Sequence, residues 1–394
     1  TGLKTWCCSR YGRARQSTLQ SSTRLAANAL RDTAGATKRS APHLRDFQRL
    51  FAFSGGPMQI QDYVIRRLLI LPLLIVGVSI IVFTLTRIGG SPIGVYLSHE
   101  MNATEVAALE ERFHLNEPLV VQYWYWAKGA LSGDFGYSGV ASAPVSEVFW
   151  KKFAATMELS VFSALIAVWL GLKLGVFAGK RRNRWQDHLT RIIAVSGASL
   201  PLFWFGIVLL IVFWANLGWF PVGRSDADIW DSIAHPTGFY ALDALLAGSI
   251  PAFFDAIWHL VLPSITLGFG AVAIITRMMR STLIEELQQD YVDAARAKGL
   301  PERLVLNRHA KRNALVPTVT VIGLTIAFLM QGAIAAEIIF RWPGLGRWMA
   351  DAVVRGDQAT IMTYVLFTSI LFLFANLVVD IVYAKLDPRV RLGD

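Results

Sequence analysis

The segment Gly175 to Lys180, GVFAGK, holds the residue types of a phosphate-binding loop, two glycines and a lysine. Such a loop cradles phosphate oxygens with backbone N–H groups and needs four residues between its glycines, then a lysine followed by Ser or Thr. Here three residues separate Gly175 from Gly179, Arg181 follows the lysine, and an apolar run precedes the motif in place of a strand. The chain does not bind ATP by that motif. Ser138 in GYSGV lacks the second glycine of a nucleophile elbow. The seven histidines have no metal-binding spacing, and the adjacent Cys7 and Cys8 have no further ligand nearby. The residues present neither a catalytic centre nor a cofactor site.

Polar chemistry gathers instead between Asp290 and Pro317, DYVDAARAKGLPERLVLNRHAKRNALVP, flanked by two long apolar runs. Ala294, Ala295 and Ala297 give a helix with small side chains on one side, and Asp293, Arg296 and Lys298 place charge around them. Small side chains let another protein approach the backbone closely. Gly299 suits the residue just past a helix end, where the chain turns left-handed, and Pro301 suits the first turn of a following helix. The spacing predicts helix, sharp bend, helix. On residues alone two readings stand: an amphipathic connector on the membrane surface, or a docking element for a soluble partner.

The elements that must hold this loop are set by composition. The chain has 394 residues, 54% hydrophobic and only 17% charged, with a mean hydropathy of +0.44. That excludes an ordinary soluble protein and implies an integral membrane one. The net charge of +10 does not point to nucleic acid, because residues 1–57 carry ten Lys and Arg against Asp32 and Asp46, a net +8, and the remainder is nearly neutral. No methionine precedes Met58, where MQIQDYVIRRLLILPLLIV reads as a complete start for a membrane protein. Residues 1–57 therefore read as a basic N-terminal extension, disordered or artefactual, with a processed arm or a basic targeting or membrane-surface segment as the other readings, and residues 58–394 form the membrane domain.

Apolar runs long enough to cross about 30 Å of hydrocarbon occur near 66–86, 157–178, 192–217, 259–277, 315–336 and 363–383. Six transmembrane helices are expected, an all-α membrane protein. Basic residues fix the orientation. Arg66 and Arg67 precede the first span, Lys180, Arg181, Arg182, Arg184 and Arg191 fill the second loop, and eight Lys and Arg lie between Arg277 and Arg312. These loops belong in the cytoplasm, as do both termini, with Lys385, Arg389 and Arg391 at the end. The loop 218–258 has only Arg224 against Asp226, Asp228, Asp231, Asp243 and Asp255, so it faces outward. The external loop 87–156 carries Tyr123, Trp124, Tyr125 and Trp126, readable as an interface belt or as part of a docking surface.

Polar residues in the spans point to local roles. Lys173 lies near an inner end and snorkels, and Glu158 and Glu337 lie near the outer surface, too shallow for a proton relay. Asp380 pairs with Lys385 or caps local structure, and Gln331 and Asn376 glue helices. The breaks at Ser196 to Pro201 and at Pro263 are read as ordinary proline kinks.

The Asp290–Pro317 loop resembles the cytoplasmic "EAA" loop of ABC-importer permeases, and YVDAARAKG, from Tyr291 to Gly299, is similar to its version in the B-type subunit of the dipeptide and oligopeptide group. The resemblance runs from about Met58 to Arg391. It includes LNEPLVVQYWYW from Leu115, SGDFGYS from Ser132, LGWFPVGR from Leu217, HPTGFYALDALLAG, HLVLPSITLG, WPGLGR from Trp342 and NLVVDIVYAKLDPRVR from Asn376, in the family's order. Departures are Asp293 in place of glutamate, Ala294 in place of threonine, Gly90 to Pro92 after the first span, and Asp357 to Thr360, which put local outer-loop structure in question.

The resemblance implies a MetI-like permease fold in a bacterial inner membrane, with a coupling loop at about 278–314. The site it implies comprises Tyr291, Asp293, Ala294, Ala295, Arg296, Ala297, Lys298 and Gly299, of which Ala294, Ala295 and Gly299 are expected to enter the groove of an ATPase. The implied partners are a second permease, two cytoplasmic ATPases that hold ATP and Mg, and an external solute-binding protein. Cargo in this group ranges over dipeptides, oligopeptides, nickel, glutathione and oligosaccharides. A secondary transporter would need deep ion-coupling groups and internal repeats, and neither is found. A scaffold that recruits a soluble partner would lack ATP hydrolysis responsive to a binding protein.

Overall fold

The computed structural model describes residues 60–89, 93–94, 102–112, 114–330 and 334–386. The N-terminal extension with Cys7 and Cys8, the Gly90 to Pro92 departure, Gln331, Arg389 and Arg391 lie outside the described residues, as do the side chains of Arg66, Arg67, Asp380 and Lys385.

The membrane part consists of α1 (Ile60–Gly89), α4 (Val145–Lys180), α5 (Trp185–Ser199), α6 (Leu202–Leu209), α9 (Ile250–Glu286), α12 (Lys311–Met330) and α15 (Gln358–Leu386). Between them lie short outer elements: α2 (Ala103–Arg112), α3 (Leu119–Leu131), a hairpin of β1 (Tyr137–Ser138) and β2 (Ala143–Pro144), α7 (Ala227–Trp230), α8 (Tyr240–Leu246), α13 (Ile334–Ile339) and α14 (Leu345–Arg355). At the other end are α10 (Asp290–Ala297) and α11 (Glu302–Leu304). Among the described residues five helices are continuous, long and apolar enough to cross a membrane.

The third expected span, 192–217, is not a kinked rod. α5 ends at Ser199 and α6 begins at Leu202, and the two arms are bent by 109°. Leu200 precedes Pro201, and both have extended backbone, ψ 129° and 131°. A proline disfavours helical geometry in the residue before it and lacks an N–H of its own, so the helix stops and restarts. This corrects the expectation of an ordinary kink. The arm after the break runs on through a π-helical turn, Leu210–Asn216. Pro263, by contrast, lies within the continuous α9.

α9 is the hub of the bundle, with 72% of its apolar window buried against 17% for α1. Ser249 caps its start by accepting from the Ala252 N–H. Its closest neighbour is α4, which presents Gly171, Gly175 and Gly179 at four-residue intervals. A methyl group added at Gly171 would stand 2.7 Å from Ile275 Cβ, one at Gly175 2.6 Å from Met279 Cβ, and one at Gly179 2.9 Å from Leu283 Cδ2. The partners are also four apart, so the two helices run parallel and in register. Small residues at this spacing let backbones close in where lipid supplies no hydrophobic drive between helices. The glycines of the rejected phosphate motif are thus packing residues.

The four aromatics of α3 divide. Tyr123 and Trp126 pack on Phe83 of α1, ring centroids 5.5 and 5.8 Å away, and the Tyr123 hydroxyl pairs with Ser79 at 2.7 Å. Trp124 and Tyr125 stay exposed. Only the second pair is available as a belt. Lys173 lies over the Trp169 ring at 3.8 Å, a cation–π contact on an exposed face.

Candidate functional site

The polar loop is built on the inner end of α9. Within α10, Val292 and Ala295 point inward with Met279 and Leu283 of α9, with Val305, Leu306 and Ala310 of the following π-helical turn, and with Ala314 of α12, forming one buried cluster. The i, i+3 spacing of Val292 and Ala295 puts both on one helix face. Asp293, Ala294, Arg296, Ala297, Lys298 and Gly299 are exposed and Tyr291 is half-buried. Ala295 is therefore turned away from any partner, which corrects its expected place in a groove. It is a core residue of the loop itself.

The bend after α10 has a defined chemistry. The Leu300 N–H donates to the Ala295 carbonyl at 3.4 Å and the Gly299 N–H to the Arg296 carbonyl at 2.9 Å, with Gly299 at φ +77°. This is a Schellman ending, which requires a left-handed residue at that position and places an apolar residue after it. Leu300 fills that role by packing on the buried cluster. Pro301 stands one residue earlier than expected, as the residue preceding α11, and its carbonyl accepts from the Leu304 N–H at 2.8 Å. The second helix is not separate: α11 runs through the π-helical turn Val305–Ala310 directly into α12.

Charge and hydroxyl contacts tie the bend to its base. Arg296 holds Glu302 across the turn through Nη2 at 3.0 Å and Nε at 3.3 Å, and Asp293 through Nη1 at 3.1 Å. Arg296 holds the Glu302 carboxyl below the usual glutamate range. The Tyr291 hydroxyl donates to Glu286 at the end of α9 at 2.5 Å. On the neighbouring loop, Asp187 of α5, fully buried, accepts from Arg280 of α9 and from the Asn183 N–H. The sequence reading used this second loop for its positive charge and missed its one acidic anchor. The signal was there: a single Asp amid five basic residues.

The opposite end is organised by buried carboxylates. Glu158 accepts Nε and Nη2 of Arg224 at 3.0 and 2.5 Å and the Ala241 N–H at 2.8 Å. Arg224 also donates to the Gly238 carbonyl and lies 3.6 Å from the Tyr240 ring centroid. Burial pushes the Tyr240 phenol up to about 12, so it stays neutral. Glu337, in the short α13, accepts from Thr156 at 2.7 Å and from the Arg347 N–H at 2.8 Å. Both acids are structural anchors joining outer loops to α4. Ser138 serves similarly, donating to the buried Asp357 at 2.8 Å beside Thr360, so the unusual Asp357–Thr360 segment is a helix start tied to the hairpin.

The two ends thus differ in character, a basic end carrying α10 and an acidic end of interlocked loops. Residues 171–392 match the family described as binding-protein-dependent transport system inner membrane component. The chain belongs to this family. The match begins at the first glycine of the α4 stripe and takes in α9, α10 and the helices after it. The chain is 38% identical to the dipeptide transport system permease protein of Alkalihalophilus pseudofirmus over 84% of this chain and 99% of that one. It is 37% identical to the probable D,D-dipeptide transport system permease protein of Escherichia coli K12, over 82% and 95%. It is likewise 37% identical to the glutathione transport system permease protein of Salmonella typhimurium LT2, over 84% and 99%. This inner membrane component is a transport subunit rather than an enzyme, a permease that acts within an ABC transporter. Its mostly helical fold, with five continuous helices able to span the membrane among the described residues and one pair bent by 109°, is the scaffold for that work.

Proposed function

We propose that this permease forms half of the pathway of an importer for dipeptides, oligopeptides or a related solute such as glutathione. In this reading it pairs with a second permease. An external binding protein delivers solute, and two cytoplasmic ATPases, which hold the ATP and Mg, drive alternating access. The chain itself carries no nucleotide. Coupling runs through residues 290–317.

One observation supports this reading above the others: α10 offers an exposed edge of Ala294, Ala297, Lys298 and Gly299 while its inner face is fixed on α9 and α12. A push on that edge is carried into α9 because the Schellman bend, Arg296 and Tyr291 leave the lever little freedom to swing by itself. α9 in turn is in backbone contact with α4 along the glycine stripe. An amphipathic connector on the membrane surface would instead leave its apolar face to lipid, whereas Val292 and Ala295 are inside the protein.

The test is Gly299→Glu in the assembled transporter. Transport and co-purification of the ATPases should both be lost while the chain still inserts in the membrane. Normal transport by this variant would sink the assignment of the loop.

A further inference from the structure

The break between α5 and α6 lies near the middle of the membrane. Gly197, close to the end of α5, packs against Ala273 and the Phe269 carbonyl oxygen of α9. Phe205 stacks on the Phe269 ring with centroids 4.3 Å apart, and Gly206 packs against Thr266. At about 1.5 Å per residue, Phe269 stands about 12 Å along α9 from Arg277 and about 16 Å from Trp258, the residues that bound its apolar run. The two glycines turn one side of the break toward α9. The other side faces away from the chain, with Ala198, Ser199, Leu200 and Pro201 all exposed.

The backbone on that side is open. No side chain caps the end of α5 or the start of α6. The Leu200 N–H still donates to the Ser196 carbonyl, and the next bond of this kind runs from the Phe205 N–H to the Pro201 carbonyl. Between them, the carbonyls of Gly197, Ala198, Ser199 and Leu200 and the N–H groups of Leu202, Phe203 and Trp204 make no hydrogen bond among the described residues.

Hydrocarbon offers such groups no partner, so irregular backbone at this depth is stable only inside protein or beside water. The continuous α1, with Leu73, Ile80 and Leu85 exposed, is a surface suited to lipid. The break is not. Its free groups are acceptors and donors side by side, and the exposed Ser199 hydroxyl adds one more of each. Water satisfies such a mixed set in any arrangement.

We infer that Ala198, Ser199, Leu200 and Pro201 line the aqueous pathway of the solute at the membrane midplane. This rests on the reading of the chain as half of such a pathway, and it names the part the chain supplies there. A polar solute with its own donors and acceptors replaces water on the open carbonyls and N–H groups as it passes. An apolar solute would leave them bare.

The experiment is cysteine labelling in membrane vesicles that hold the assembled transporter, in a chain carrying Cys7→Ser and Cys8→Ser. A membrane-impermeant sulfonated methanethiosulfonate is applied to right-side-out and to inverted vesicles. The thiolate is the form that attacks this reagent, and it forms in water and is suppressed in apolar surroundings. Ser199→Cys and Ala198→Cys, small changes at exposed positions, should therefore react at least about tenfold faster than Leu165→Cys from one face or the other. Leu165 is 62% exposed and lies at the same depth on the unbroken α4, close to Ser163, whose carbonyl oxygen meets Gly268. Labelling should also lower uptake of radiolabelled dialanine by the Ser199→Cys transporter, compared with the same vesicles before labelling. The inference is overturned if neither cysteine reacts from either face, which would mean cover by the second permease or by lipid. It is equally overturned if Leu165→Cys reacts as fast, or if labelled Ser199→Cys takes up dialanine as it did before. Wild-type uptake of dialanine tests the importer reading separately. The labelling rates need no knowledge of the solute, so they judge the break even where that reading fails.

Discussion

Arg280 grips Asp187 with two nitrogens at once, Nε to Oδ1 at 2.5 Å and Nη2 to Oδ2 at 2.8 Å, although 93 positions separate them in the chain. The pair joins α9 to the first turn of α5, two turns before the end of α9. Asp187 is fully buried and Arg280 half-buried, 21% exposed. Removing one partner of such a pair strands the other, at a cost of about 3–5 kcal/mol. Arg280→Ala should therefore lower the thermal unfolding midpoint of the detergent-purified chain markedly. Arg280→Lys should recover only part of the loss, because an ammonium cannot match the two-pronged geometry. An unchanged midpoint in Arg280→Ala would show that the pair contributes nothing.

The glycine stripe makes a sharper prediction because a control is available. Gly175→Ala would place a methyl 2.6 Å from Met279 Cβ and 2.9 Å from the Thr276 carbonyl oxygen, and neither can move without shifting α9. Overpacking of this kind costs roughly 1–3 kcal/mol. Gly77→Ala in α1 meets nothing within 4 Å and should be neutral or slightly stabilising. Equal behaviour of the two variants in a thermal melt would remove the stripe from the account.

The two faces of α10 should separate stability from coupling. Ala294→Glu and Lys298→Glu alter exposed positions and should leave the melting curve in place while reducing ATPase co-purification. Ala295→Glu would bury a charge in the cluster of Met279 and Leu283 and should destabilise the chain itself. If Ala295→Glu melts like wild type, the inward direction of this residue is wrong.

At the outer end, Glu158→Ala would leave the Arg224 guanidinium, 6% exposed, without its counter-charge, again worth about 3–5 kcal/mol. Glu158→Gln keeps a hydrogen-bond acceptor and should cost less. Limited proteolysis of the 218–258 loop reads the result directly, with faster cutting expected in the alanine variant and wild-type rates arguing against the anchor.

The bend carries a pH dependence of known sign. Arg296 depresses the Glu302 carboxyl, so the pair stabilises the bend above the ordinary glutamate range and loses that contribution as pH falls through the depressed value. Hydrogen exchange at the Leu300 and Gly299 amides should accelerate over that acid range, beyond the intrinsic pH effect, and Glu302→Gln should flatten the difference. Both side chains are largely in water, so the effect should also shrink with added salt.

Much of this protein was legible in its sequence. Span number and the two-ended charge pattern follow from runs of apolar residues and from where Lys and Arg fall, which depend only on transfer free energy and local composition. The bend at Gly299 was equally legible, because a left-handed residue before Leu300 is a local requirement of helix ending. What sequence could not show is which face of α10 is inside, since Ala294 and Ala295 are chemically identical and only contact with Met279, Leu283 and Val305 tells them apart. Nor could it show that Pro201 turns a span by 109° while Pro263 leaves α9 continuous. The surrounding packing decides whether a helix survives its proline. The pairings of Asp187 with Arg280 and of Glu158 with Arg224 also needed the tertiary fold. Each joins residues brought together by helix packing rather than by neighbourhood in the chain, and a pairwise contact has no signature in either residue alone.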